Sequence, residues 1–378
     1  MLRSDSPARV MFTKLITSRL PNWKKLSASR ATIAVALALS LSAPRLVGGQ
    51  EASGTFTNPL LPSGADPWVT SRDGYYYYMN TTGKNLTIWK TRDITELKQA
   101  EKKIVWTPPL SGPYSHEIWA PELHLLQGKW YIYFAADSGD NESHRVWVLE
   151  NTSTDPLDGT WKMKGKLSGP EDLWAIDPSV FENGGKMYAV WSGWTGRANG
   201  VQKILIAELA NPWTLGSKPV VISTPQYPWE KVGDLTVRNR VDRVPHVDVN
   251  EGPEILQHNG KIILIYSASG CWTDYYELGM VTAKADSDLL DPSSWTKTGT
   301  PVFSQSPENS VYGPGHNTFF KSPDGKEDWI LYHANSAPGE GCGAKRSPRA
   351  QPFAWNPDGT PNFGRPVAAG KPIPKPSQ

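Results

Sequence analysis

Cysteine is almost absent from the 378-residue chain, which has only Cys271 and Cys342. Neither lies in a CxxC pair or a Cys/His cluster, which excludes the usual zinc frameworks. Membrane-length apolar runs are missing too. The run Ala31 to Leu41 covers eleven residues, short of the ~20 a spanning helix needs. Sustained helical periodicity is also lacking, and that argues against a helical or α/β fold. Charge is modest and shifts along the chain. Residues 1–50 carry eight Lys or Arg against Asp5 alone. The remainder holds 31 basic and 36 acidic residues, a net charge of −5. Such a surface has no general attraction for phosphate backbones, so no nucleic-acid partner is expected.

The head of the chain has the order of a secretory signal: basic residues, a short apolar core, then small residues. Residues 1–49 are therefore expected to be a signal and leader, cleaved near Ala43 or Gly49. Residues 50–378 are expected to be a secreted, extracellular domain with no membrane association. Sequons at Asn80, Asn85, Asn141 and Asn151 agree with a secreted glycoprotein. In an oxidising compartment Cys271 and Cys342 are expected to pair, with two free thiols as the alternative. A monomer is expected.

What the chain does have is turn residues and aromatics: 33 Gly, 33 Pro, 17 Trp and 14 Tyr. The prior is all-β. A hairpin pattern recurs five times. Ala65-Asp66-Pro67-Trp68 leads into Tyr75 to Met79, and Ala120-Pro121-Glu122-Leu123 into Trp130 to Phe134. Ile176-Asp177-Pro178-Ser179 leads into Met187 to Trp191, Glu251-Gly252-Pro253-Glu254 into Ile262 to Tyr266, and Gly315-His316-Asn317 into Trp329 to Tyr332. A polar turn with glycine separates the strands of each unit, as in Asp73-Gly74 and Asn259-Gly260. Five such units predict a single-domain, five-bladed β-propeller, which closes on itself and so leaves no sheet edge. A two-sheet sandwich competes but does not explain five equivalent units. The innermost strands start at one rim, which would bring Asp66, Glu122, Asp177, Glu251 and His316 together.

Carboxylates converging from separate blades suit glycosidic bond cleavage. One acid protonates the leaving oxygen, and one carboxylate activates water or attacks carbon. Asp66, Asp177 and Glu251 each stand beside Pro or Gly-Pro at an inner strand start. Trp68, Trp119, Trp174 and Trp194 lie nearby in sequence, and Trp68, Trp119 and Trp194 are the candidate sugar-stacking walls; the alternative for them is packing between blades. Glu254, inside its strand, reads as supporting.

With these five motifs in order from Asn58 to about Pro366, the chain resembles glycoside hydrolase family 43, five-bladed propellers that act on arabinose- and xylose-containing polysaccharides. The resemblance implies Asp66 as general base, Glu251 as general acid and Asp177 as the residue that raises the Glu251 pKa and holds it in place. It implies inversion, with Asp66 and Glu251 about 6.5–9.5 Å apart. It further implies a central ion, commonly calcium, near His316. Calcium prefers oxygen donors, so His316 would meet a hydrated ion through water, and a structural hydrogen bond is the alternative. The segment Arg346 to Gln351 resembles a family stretch whose arginine reaches the sugar; Arg349 is the expected residue and Arg346 the reserve. The Asn250 to Glu254 and Tyr266 to Trp272 stretches most resemble the α-L-arabinofuranosidase and arabinanase branch. The expected activity is release of α-L-arabinofuranosyl units from plant cell-wall arabinan or arabinoxylan, with no organic cofactor. β-Xylosidase, endo-arabinanase and a non-catalytic sugar-binding propeller are the alternatives.

Overall fold

The computed structural model describes residues 54–235 and 245–378. The expected signal and leader, residues 1–49, lie outside the described residues. Among the described residues, no helix is long and apolar enough to cross a membrane.

Five antiparallel sheets follow one another along the chain. Blade I comprises β2 (Trp68–Arg72), β3 (Tyr75–Met79), β4 (Leu86–Thr91) and β5 (Glu101–Trp106). Blade II comprises β6 (His116–Leu126), β7 (Lys129–Asp137), β8 (Arg145–Asn151) and β9 (Lys162–Leu167). Blade III has β10 (Ala175–Asn183), β11 (Lys186–Gly193), β12 (Lys203–Asn211), β13 (Thr214–Leu215) and an added β14 (Val220–Ser223) paired to β12. Blade IV has β15 (Asn250–His258), β16 (Lys261–Ala268), β17 (Glu277–Lys284) and β18 (Thr296–Lys297). Blade V has β19 (Tyr312–Lys321), β20 (Asp328–Asn335), β21 (Ser347–Trp355) and β22 (Pro361–Asn362). The expected five-bladed propeller is the observed fold.

Apolar residues on both faces of these strands explain the ring, because each blade must bury two surfaces. Five hydrophobic clusters fill the seams. Trp68, Ile88, Ile118 and Trp130 join blades I and II. Tyr133, Val180 and Trp191 join II and III, and Val190, Ile206, Leu264 and Val281 join III and IV. Ile265, Phe303 and Tyr332 join IV and V, and Val69, Tyr78, Trp329 and Leu331 return from V to I. The ends close the ring. β1 (Thr55–Thr57) pairs with β23 (Pro372–Pro374), and Asn58 exchanges two hydrogen bonds of 2.9 Å with Ala350. The Pro- and Lys-rich tail is thus the closing segment.

The repeat is marked by a kink. Asp66, Ala120, Asp177, Gly252 and His316 all have left-handed backbone, φ 42–54°. In blades II to V the pairing register lapses there, between Trp119 and Glu122, Ile176 and Ser179, Glu251 and Glu254, and Gly315 and Thr318. These are β-bulges that re-aim side chains into the central channel. A left-handed non-glycine residue costs about 1–3 kcal/mol, so four of them at the same point indicate a required geometry. Gly252 is the exception for a reason. A Cβ there would sit 3.2 Å from the His316 ring. This alignment corrects the register inferred from sequence for Glu122, which lies two residues past the repeat position. It is buried, takes a 2.9 Å contact from His124 and lies close to Glu254 rather than at the rim.

Two sequons lose their accessibility in the fold. Asn80 is buried, and Asn151 is buried with its amide spent on Ser153 and Asp158. The side chains that read as glycan acceptors serve turns.

Candidate active site

A cavity of about 330 Å³ opens at the rim and takes residues from every blade. Asp66 and Thr81 come from blade I, Trp119 from II, and Trp174 and Asp177 from III. Glu251 and Trp272 come from IV, and His316 and Arg346 from V. The three expected acids therefore share one pocket.

Asp66 is buried and held on both oxygens. Arg346 Nη1 donates to Oδ1 at 2.9 Å and the Thr81 hydroxyl donates to Oδ2 at 2.6 Å. His316 Nδ1 and His333 Nδ1 lie 3.4 and 3.5 Å from Oδ1. The Asp66 backbone N–H donates to His333 Nδ1 at 3.0 Å, so that nitrogen is an acceptor. Burial alone would push the Asp66 carboxyl up. Arg346, the two histidines and Thr81 outweigh it and hold the carboxyl well below the ordinary range.

Glu251 is the opposite case. Burial drives its carboxyl up to about 7. The Tyr276 hydroxyl opposes this, the Asp66 charge adds to it, and Arg346 opposes it. Tyr276 Oη donates to Glu251 Oε1 at 2.9 Å, and its ring lies parallel to His333 with centroids 5.6 Å apart. Close packing fixes that ring, since a Cβ on Gly315 would meet it at 2.3 Å.

Asp177 Oδ2 accepts the Gly252 backbone N–H at 3.0 Å. Its carboxyl is raised well above the usual range by burial, then by the charges of Glu251 and Asp66. For Glu251 the leading cause of the raised carboxyl is desolvation, ahead of the neighbouring charge that the sequence led us to expect. What the arrangement provides is a carboxylate held ionised and a carboxyl raised to about 7, in one pocket of about 330 Å³.

The aromatic walls divide. Trp119 lines the pocket, stacked on buried His144 at 4.0 Å and donating to Glu117 at 3.0 Å. Trp68 does not. It packs in the blade I–II seam, its indole N–H donating to Leu123 O at 3.0 Å. Trp194 is buried behind the wall, stacked on Trp174 at 4.8 Å. Trp174 and Trp272 take the places expected of Trp68 and Trp194. Seam filling won because Trp68 starts a strand whose neighbours are apolar on both faces.

The arginine in the pocket is Arg346, not Arg349. Arg349 lies inside β21, opposite Tyr332, fully buried with Nη2 donating to Ser336 at 2.8 Å. Arg346 is the last loop residue before that strand, free to reach Asp66. Cys271 and Cys342 are disulfide-bonded and line the same pocket. Sequence reasoning missed Thr81, Tyr276 and Trp272. Trp272 lay in a stretch singled out for its resemblance, whereas Thr81 was read only as part of a sequon and Tyr276 carries no local signal.

An ion near His316 would have to be held through water. Among the described residues, no group of three or more His, Cys, Asp or Glu converges as a cation cage. His316 turns Nδ1 toward Asp66, and its backbone N–H donates to Ser267 Oγ at 2.7 Å. These residues do not fit a directly ligated calcium.

The chain is similar to known proteins. The extracellular exo-α-(1→5)-L-arabinofuranosidase of Streptomyces avermitilis is 40% identical over 84% of this chain and 64% of its own length. That of Streptomyces chartreusis is 38% identical over 74% of this chain and 82% of its own. The chain thus spans 64%, less than two thirds, of the length of the first of these relatives. The α-L-arabinofuranosidase structure from Lactobacillus brevis superposes with a TM-score of 0.76 at 38% identity, covering 84% of this chain and 98% of that one. The description Glycosyl hydrolases family 43 matches residues 56–361, which takes in all five blades and every acid in the pocket, so the chain belongs to glycosyl hydrolase family 43.

Proposed function

We propose that the chain is a secreted, monomeric α-L-arabinofuranosidase that releases terminal arabinofuranosyl units from arabinan or arabinoxylan with inversion. The observation that carries this reading is the pairing of Asp66, held ionised, with Glu251, held protonated to about 7, in one pocket. Glu251 donates its proton to the glycosidic oxygen as the bond to the anomeric carbon breaks. Asp66 accepts a proton from the water that attacks the opposite face. Arg346 orients Asp66 and the sugar, and Asp177 holds the Gly252 N–H that places Glu251. Trp119, Trp174 and Trp272 supply faces for sugar C–H surfaces.

Two further facts support the choice of substrate and mode. The pocket is near the small end of the ~300–1,000 Å³ range for ligand sites, which suits a terminal unit more than a threaded polymer. The Streptomyces relatives are named for exo action on α-(1→5)-L-arabinofuranosyl linkages.

The test is a product profile on linear arabinan, arabinoxylan and xylo-oligosaccharides, with the first-formed anomer read by NMR. Arabinose alone, appearing first as the β-anomer, is expected. Xylose, internal cleavage or a first-formed α-anomer overturns the corresponding part. Asp66→Asn and Glu251→Gln should each lower turnover of oligosaccharides by at least ~10²-fold. Folded wild-type protein with no turnover on any of these would leave a sugar-binding propeller as the reading.

A further inference from the structure

The loop after β3 crosses from blade I toward blade II and carries Thr81, a residue given no step in the proposed reaction. Its backbone N–H donates to Ala65 O at 2.9 Å, and the Gly83 N–H donates to Ile118 O at 3.1 Å. The loop is thus anchored on both sides of the seam. The hydroxyl lies between two of the left-handed bulge residues. It accepts the Ala120 backbone N–H at 2.7 Å and stands 2.6 Å from Asp66 Oδ2.

Proton counting fixes its orientation. A hydroxyl has one proton to give. The Ala120 N–H is a donor only, so it occupies a lone pair of Thr81 Oγ1. The hydroxyl proton then points to Asp66 Oδ2. Arg346 holds the other oxygen, so the carboxylate cannot rotate without losing one of two charge-assisted bonds. The other titratable groups around it, His316, His333, Glu251 and Asp177, either contact Oδ1 or act on it through the pocket.

We propose that Thr81 is a positioning residue for the general base: its hydroxyl locks the Asp66 carboxylate across the blade I–II seam and leaves its free lone pairs facing the pocket water. This rests on the assignment of Asp66 as base. It gives the Ala120 bulge, which brings no acid to the rim, a function: its N–H sets the direction of the Thr81 proton.

The test compares Thr81→Val, Thr81→Ala and Thr81→Ser with wild type and Asp66→Asn on arabino-oligosaccharides. Each is assayed below its measured melting temperature. Thr81→Val keeps the shape and removes the proton. It is expected to lower kcat about 10- to 100-fold with little change in KM. The acid limb of kcat/KM should move to higher pH, because the carboxylate has lost a donor. Thr81→Ala should change in the same direction and serves where the valine variant does not fold. Thr81→Ser should recover most of the rate and return the acid limb toward wild type. Wild-type kcat and acid limb in Val and Ala overturn the proposal, as does a serine variant as slow as valine. If Asp66→Asn is active, the base assignment fails. If it is inactive while Thr81→Val is normal, only the Thr81 inference falls.

Discussion

Replacing Tyr276 by Phe removes one atom, the hydroxyl that donates to Glu251 Oε1 at 2.9 Å. The ring that packs against His333 and Gly315 is kept, so the change isolates one hydrogen bond. That bond favours the charged form of Glu251 and therefore lowers its pKa, against burial, which raises it to about 7. Removing the bond must move the pKa up. A hydrogen bond to a charged group is worth about 1.5–3 kcal/mol, and one pKa unit corresponds to about 1.4 kcal/mol, so the shift is about one to two units.

The readout is the alkaline limb of kcat/KM, which reports the acid of the free enzyme. Wild type should lose activity as pH rises through about 7. In Tyr276→Phe the same limb should lie about one to two units higher. An arabino-oligosaccharide must be the substrate, since a good leaving group needs no proton and would hide the limb. The acid limb belongs to Asp66, which Tyr276 does not touch, and should stay in place. An alkaline limb that is unmoved or shifted downward would refute the claim that Glu251 is the acid and that desolvation sets its pKa.

The two arginines should separate cleanly. Arg346→Ala removes the closest positive charge from Asp66, so the acid limb should move up and kcat/KM fall about tenfold or more; Arg349→Ala should lower the melting temperature and leave the limb alone. The reverse pattern would restore Arg349 as the substrate arginine. Deeper in the channel, Glu254 and Glu122 are both raised well above the usual range by burial, and Glu122 also by the charge of Glu254. A raised carboxyl contributes most below its unfolded pKa, about 4.3, and costs stability as pH rises above it. The melting temperature of wild type should therefore fall between pH 5 and 8, and fall less in Glu254→Gln. Equal falls by calorimetry would show that this pair does not set the alkaline stability.

Much of this was legible in the sequence, and particular residues show where it stopped. The blade count followed from five hairpins with glycine turns, and Asp66 and Asp177 from their identical Asp-Pro setting. Glu122 was misplaced because the repeat is defined by backbone φ, which composition does not display. The trace it leaves is the proline after Asp66, Ala120, Asp177 and Gly252. Arg349 was preferred to Arg346 on the resemblance of the Arg346 to Gln351 stretch, but Arg349 lies inside β21, whereas Arg346 ends the loop before it. Trp68 and Trp194 were chosen by proximity in sequence, and strand neighbours rather than proximity decide whether an indole faces a seam or a pocket. Thr81 and Tyr276 act through contacts 15 to 39 residues away in sequence, one of them across the blade I–II seam, where no periodicity points.

The comparison of Asp66 with Asp177 locates the chemistry. The two precede proline at the same point of their blades, with φ of 54° and 53°, and both are buried. Burial pushes both carboxyls in the same direction, toward the neutral form. They part because of what stands across the seam. Asp66 faces a guanidinium, two imidazoles and a hydroxyl, and is held ionised. Asp177 receives one backbone N–H and stands beside Glu251, and its carboxyl is pushed up toward the neutral form. The repeat thus supplies equivalent positions but not roles, which come from loops of unequal length within the blades. The β3–β4 loop brings Thr81, the β16–β17 loop brings Tyr276 and the β20–β21 loop brings Arg346. Changing the substrate or the pH range of such an enzyme should therefore be possible by altering these three loops while leaving every inner strand untouched.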